Sequence, residues 1–199
     1  QLIQNGLKEN DCPDYYSVTK PDVVFKIHRE YFEAGSDCVE TNTFGANRIK
    51  LKKYNLEGKV FDINKNAIEI AKEAAYEFSG FVGQSVGPLG ELLMPSGDIE
   101  FDRAVDIFYE QISAGFEAGA DFISIETMSD IKEAKAAFLA FRKAKADFNK
   151  DIGCVVSLTF EQNKRTLMGT PPEAASYLFS IIGADLVGAN CSGGVHHLL

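Results

Sequence analysis

Cysteine, histidine and positive charge are all scarce in this chain, and each shortage removes a class of function. Among 199 residues there are four cysteines, Cys12, Cys38, Cys154 and Cys191, with no C-x-x-C pair. Such scatter encodes neither a disulfide framework nor a self-contained structural zinc site, and it fits a reducing cytoplasm. Three histidines occur, and no apolar run ends in a paired or H-x-H arrangement, which speaks against a histidine-rich metallohydrolase. Lys and Arg total 20 against 29 Asp and Glu, a formal net charge of −9. That balance lacks the basic footprint that nucleic-acid phosphates require, and it disfavours anionic membrane surfaces for the same reason. No uninterrupted apolar run is long enough to span a bilayer, and no secretory signal is visible. No Gly-x-Gly-x-x-Gly or Walker-type loop is present, which lowers the case for nucleotide binding. No lysine closes an apolar run, so a Schiff-base aldolase is not expected.

What is present is ordinary globular composition, 45% hydrophobic and 25% charged, in a length that favours one domain over residues 1–199. Helical and strand patterns alternate throughout. Thr19-Lys20-Pro21-Asp22 reads as a capping box with proline near the first helical position, and Val24, Ile27, Tyr31 and Ala34 mark one face of the helix that follows. Ile63 to Phe78, Phe101 to Phe116 and Ile131 to Ala146 repeat the helical period, and Pro171-Pro172 opens another helix. Between them lie short apolar runs: Cys38-Val39, Phe81 to Val86, Phe122 to Ile125, Cys154 to Leu158, and Asp185 to Ala189. They do not alternate cleanly, which predicts parallel strands buried on both faces, with Cys38 and Cys154 in the core.

Ala34-Gly35-Ser36-Asp37, Ala118-Gly119-Ala120-Asp121 and Ile182-Gly183-Ala184-Asp185 each end a helix and feed a strand. The glycine can supply a left-handed terminus and the aspartate can hydrogen-bond the turn, so the three aspartates read as structural. Repeated βα units fit either a (β/α)8 barrel or an open doubly wound sheet. With five strand candidates, a barrel would be incomplete in this chain.

In both folds ligands gather at the carboxyl ends of strands. Those ends carry Glu40 to Asn47, Gly87-Pro88, Glu126-Thr127, Thr159-Phe160 and Asn190-Cys191-Ser192. The set is polar, with carboxylates and a thiol but no basic cluster, and suits a small ligand bearing an amine and a soft atom. Glu126 closes an apolar run, where a carboxylate must be paired or hydrogen-bonded. By spacing alone, Cys191 reads as a small buried residue at a strand end. His28 reads as structural, and His196 and His197 as solvated.

The run His28-Arg29-Glu30-Tyr31 through Ala34-Gly35, then Thr41-Asn42-Thr43-Phe44-Gly45-Ala46, Gly87-Pro88, Glu126-Thr127 with Ser129-Asp130, Leu167-Met168-Gly169-Thr170 and Gly188-Ala189-Asn190-Cys191-Ser192, resembles the homocysteine S-methyltransferase domain family. Within it, the chain looks most like the homocysteine-binding module of cobalamin-dependent methionine synthases. The resemblance implies a (β/α)8 barrel whose first strand and C-terminal strands are missing here. It implies catalytic zinc held by three cysteines, of which Cys191 is one and an adjacent pair lies beyond the chain. It implies L-homocysteine as substrate, its ammonium on Glu126, with Thr43 and Asn42 able to bond the amino-acid carboxylate. The methyl group would come from 5-methyltetrahydrofolate by way of cobalamin, both carried by separate downstream modules. The alternatives are a free-standing enzyme using betaine or S-methylmethionine and a non-catalytic barrel without zinc. After Ser192 the chain departs from the family's usual Gly-Pro and reads Gly193-Gly194. Exposed sheet edges in an incomplete barrel predict self-association.

Overall fold

Five parallel strands laid side by side in chain order frame the protein, in a computed structural model that describes residues 1–194. They are β1 (Cys38–Glu40), β2 (Phe81–Val86), β3 (Phe122–Met128), β4 (Gly153–Leu158) and β5 (Leu186–Ala189), each hydrogen-bonded to the next. Helices α1 (Tyr16–Thr19) and α2 (Pro21–Glu33) precede β1, and α3 (Arg48–Lys52) and α4 (Val60–Tyr76) join β1 to β2. The remaining crossovers are α5 (Phe101–Ala118), α6 (Ile131–Phe148) and α7 (Pro172–Ile182). A strand order that never reverses decides between the two architectures. Doubly wound sheets reverse at a switch point, whereas this sheet winds one way, as a (β/α)8 barrel does. It forms an open segment of such a barrel, with the outer edges of β1 and β5 unpaired among the described residues.

All the long helices pack on one face of the sheet. Val82, Val86, Ile123, Ile125, Cys154 and Val156 point to that side and are fully buried, meeting Ala71 and Ala75 of α4, Phe108, Ile112 and Phe116 of α5 and Phe138 of α6. Burying each large apolar side chain there contributes roughly 1.5–3 kcal/mol. Burial also pushes the Cys154 thiol far above its ordinary pKa, so it stays protonated in the core.

The opposite face bears out the expectation of strands buried on both sides at Gly83, Ser85 and Ser124, and corrects it toward the strand starts and at the edge strands. Cys38, Phe81, Phe122, Val155 and Leu186 line an open cleft of about 1290 Å³, with Phe81 59% and Leu186 64% exposed. Cys38 is exposed, not core. Side chains alternate along a strand, and Val39 takes the helix side against Phe32 and Ala71, which turns Cys38 and Glu40 the other way.

Gly35, Gly119 and Gly183 are all left-handed, with φ of 97°, 83° and 95°. Two of the junction aspartates act across the sheet. Asp121 Oδ2 accepts from Val82 N at 2.7 Å and Asp185 Oδ2 from Cys154 N at 2.7 Å, so each carboxylate captures the first free amide of the preceding strand. Asp37 is exposed at the outer edge of β1. The capping box at Thr19 does not form. Thr19 ends α1 and its hydroxyl donates to Tyr15 O at 3.1 Å, while Lys20 caps α2 without a side-chain bond and Pro21 opens it. A preceding helical turn had already claimed the threonine.

Candidate active site

The site begins with a defect in a strand. Pairing of β3 with β4 slips between Ile125 and Met128, a bulge that holds Glu126 and Thr127. Thr127 adopts φ 59°, a left-handed conformation that costs a β-branched residue energy. By the alternation of β3, Glu126 faces away from the helix-packed Ile125, and it lies half-buried at the carboxyl end of the strand. Its Oε1 accepts a hydrogen bond from Ser85 Oγ of β2 at 2.5 Å, and its Oε2 accepts from Asn190 Nδ2 after β5 at 3.2 Å.

Cys191 follows directly, exposed, with φ 52°. Its Sγ lies 3.8 Å from Thr127 Oγ1 and 3.7 Å from Asn190 Nδ2. Asn190 thus stands between the carboxylate and the thiol that the sequence singled out. Thr43 joins the same chain of bonds from the far side. Its hydroxyl donates to Ser85 O at 2.7 Å and meets Thr41 Oγ1 at 2.6 Å, and Gln111 Nε2 donates to its carbonyl at 2.8 Å. Thr43 is fully buried, so its hydroxyl is engaged in holding the β1 loop to β2. Asn42 turns away, and its Nδ2 donates to Pro13 O at 2.7 Å and to Ser17 Oγ at 3.4 Å. The structure therefore links Thr43, Glu126 and Cys191 through Ser85 and Asn190, and leaves Asn42 anchoring the N-terminal segment.

Burial raises the Glu126 carboxyl above its usual range, the Ser85 bond opposes the rise, Glu40 on the same open face adds to it, and the Asn190 bond opposes it. A cation placed beside Glu126 reverses this unfavourable balance, which suits the carboxylate to an ammonium group. For a metal, the donors are thinner. Among the described residues no three His, Cys, Asp or Glu side chains come together, and Cys191 is the one thiol at this end of the sheet. One sulfur does not complete a zinc site, which takes three or four protein donors. His196 and His197 lie outside the described residues.

Sequence reasoning set Thr127 and Asn190 at the strand ends without giving them a role, and it missed Ser85 and Ser157 as members of the site. The two serines each stand inside an apolar run, one residue before its end, and period-two alternation from the strand end was the available signal. It also missed Asp14, which is buried and accepts from Gly45 N at 2.9 Å, bracing the β1 loop from below.

Parallel strands in sequential order, with a carboxylate and a thiol at their carboxyl ends, define a barrel-type α/β domain. The homocysteine S-methyltransferase family profile matches residues 1–199, and the chain belongs to that family. It is 35% identical over 188 residues to the methionine synthases of Mycobacterium leprae (strain TN) and Mycobacterium tuberculosis (strain ATCC 25618 / H37Rv). These matches cover 92% of the chain and 16% of the length of either relative. Its fold is similar to the crystal structure of the homocysteine methyltransferase MmuM from Escherichia coli in the metallated form, with TM-score 0.78 at 20% identity, covering 96% of this chain and 70% of that one. The apo form of MmuM gives TM-score 0.71 at 17% identity, covering 99% of this chain and 70% of that one.

Proposed function

We propose that this domain binds L-homocysteine and presents its sulfur for methylation, yielding methionine. The observation that carries the reading is Glu126, a carboxylate on the open side of β3 beside a bulge, held one side chain away from Cys191. Glu126 receives the ammonium group of the amino acid, and the sulfur lies toward Cys191. The relatives are methionine synthases, and the proposal includes a methyl group delivered from 5-methyltetrahydrofolate on cobalamin by other modules, as the sequence motifs imply.

A thiol has a pKa of about 8.5 and is mostly protonated near neutrality, so methyl transfer to sulfur requires a means of forming the thiolate. Zinc, when bound, supplies that chemistry by holding a coordinated sulfur deprotonated. Cys191 is our candidate for one of its ligands, with the others drawn from outside the described residues. The chain's own contribution is binding and orientation: Ser85 and Asn190 hold Glu126, and Glu126 holds the ammonium.

Glu126→Gln keeps the shape and removes the charge. Hydrogen bonds to charged groups are worth roughly 1.5–3 kcal/mol, so KM for L-homocysteine should rise about ten- to a hundredfold. An unchanged KM would remove Glu126 from the substrate site.

A further inference from the structure

The side chain of Asn190 has no freedom left. Its Oδ1 accepts from Thr127 N at 2.9 Å and from Ser157 Oγ at 3.0 Å, and its Nδ2 donates to Thr127 Oγ1 at 2.8 Å and to Glu126 Oε2 at 3.2 Å. A backbone N–H only donates and a carboxylate only accepts, so these partners fix which end of the amide is oxygen and which is nitrogen. Its backbone is held as well, with Asn190 N donating to Leu158 O at 3.1 Å and Thr159 Oγ1 donating to Asn190 O at 3.1 Å. The one amide thus bridges the β3 bulge, β4 and the carboxylate, and its Nδ2 stands 3.7 Å from Cys191 Sγ. The distance from Glu126 Oε2 to that sulfur is at most the sum of the two Nδ2 separations. Thr127 and Cys191, the two left-handed residues of the site, both contact this amide's Nδ2.

We infer that Asn190 is the positioning residue that aims Glu126 at the ammonium group and sets its spacing from the thiol position, making the site selective for an amino-acid thiol over the same thiol without its amine. The inference rests on the proposed homocysteine site. Ser85 holds the other carboxylate oxygen from β2, so without Asn190 the carboxylate pivots about a single bond. A pivoting acceptor loses directional preference for an ammonium while leaving a neutral chain end unaffected.

The test compares binding of L-homocysteine and of 4-mercaptobutyrate, its des-amino analogue, to the intact protein by calorimetry with zinc present throughout. Wild type should prefer homocysteine. Asn190→Ala should weaken homocysteine by roughly tenfold or more while changing 4-mercaptobutyrate by less than about twofold. In a Glu126→Gln background, Asn190→Ala should alter the preference no further, because the two act as a unit. Asn190→Ser, which keeps a hydroxyl near Thr127 N and cannot span to Glu126, repeats the test should the alanine variant not fold. Equal weakening of both thiols, or a further loss of preference in the Glu126→Gln background, overturns the inference and leaves the Glu126 assignment standing. A wild type that binds both thiols equally, or neither, overturns the Glu126 assignment itself and the inference with it.

Discussion

Ser85 Oγ lies 2.5 Å from Glu126 Oε1, a hydroxyl on β2 bound to a carboxylate on β3. The bond opposes the rise that burial gives the Glu126 pKa. Removing it with Ser85→Ala moves that pKa further up. Protonation discharges the group proposed to receive the ammonium, so homocysteine binding should fail as pH falls through this pKa. The acid limb of a KM–pH profile should therefore shift to higher pH in Ser85→Ala, and an unshifted limb would detach Ser85 from the site.

Glu133 gives a stability prediction with a definite sign. It lies in the first turn of α6, buried, accepting from Leu89 N at 2.7 Å. Burial chiefly raises its pKa from 4.5 to about 7; the Leu89 bond opposes that, Asp130 adds to it and Lys50 opposes it. Between those two values the folded state binds more protons than the unfolded state, so stability falls as pH rises from about 4.5 to 7. Glu133→Gln keeps an oxygen for Leu89 N and removes this slope. In denaturant titrations the variant should gain on wild type from pH 5 to pH 8, by up to about 3 kcal/mol. A constant difference across that range would contradict the assignment.

The strap made by Asp121 is structural. Its carboxylate holds Val82 N at 2.7 Å and Lys72 Nζ at 2.9 Å. Asp121→Ala leaves a strand amide without its partner, at a cost of about 1–3 kcal/mol in unfolding free energy. Homocysteine affinity at saturating folded protein should not change.

Gly87 closes β2 where the β1 loop passes over it. A Cβ there would stand 2.6 Å from Phe44 O, a backbone atom with no rotamer to yield. Gly87→Ala should therefore push the Thr43–Phe44 segment outward, lowering the melting temperature and weakening homocysteine binding together. An alanine variant with wild-type binding would show that the loop bears no load at the site.

Much of the strand framework was readable because apolar runs bounded by glycine and aspartate have few alternatives. Phe81 to Val86 is β2 to the residue. Glu126 was readable as a charged group where an apolar run stops. The faces were harder. Cys38 looked like core because alternation cannot be judged over two apolar residues, and packing of Val39 on Phe32 decides it. Asn42 and Thr43 are neighbours that diverge completely. Asn42 is drawn to Pro13 and Ser17, far back in the chain, and Thr43 to Ser85, partners that no local pattern announces. The left-handed turn at Thr127 was equally invisible, since threonine is among the last residues expected there.

In the proposed complex, Cys191 and Glu126 bracket one molecule of L-homocysteine with its sulfur at a metal. Calorimetric titration of L-homocysteine into the intact protein, with and without zinc and alongside Cys191→Ala, tests it most directly. Binding should depend on zinc and be abolished by Cys191→Ala. Binding that ignores zinc, or that survives in Cys191→Ala, would contradict it.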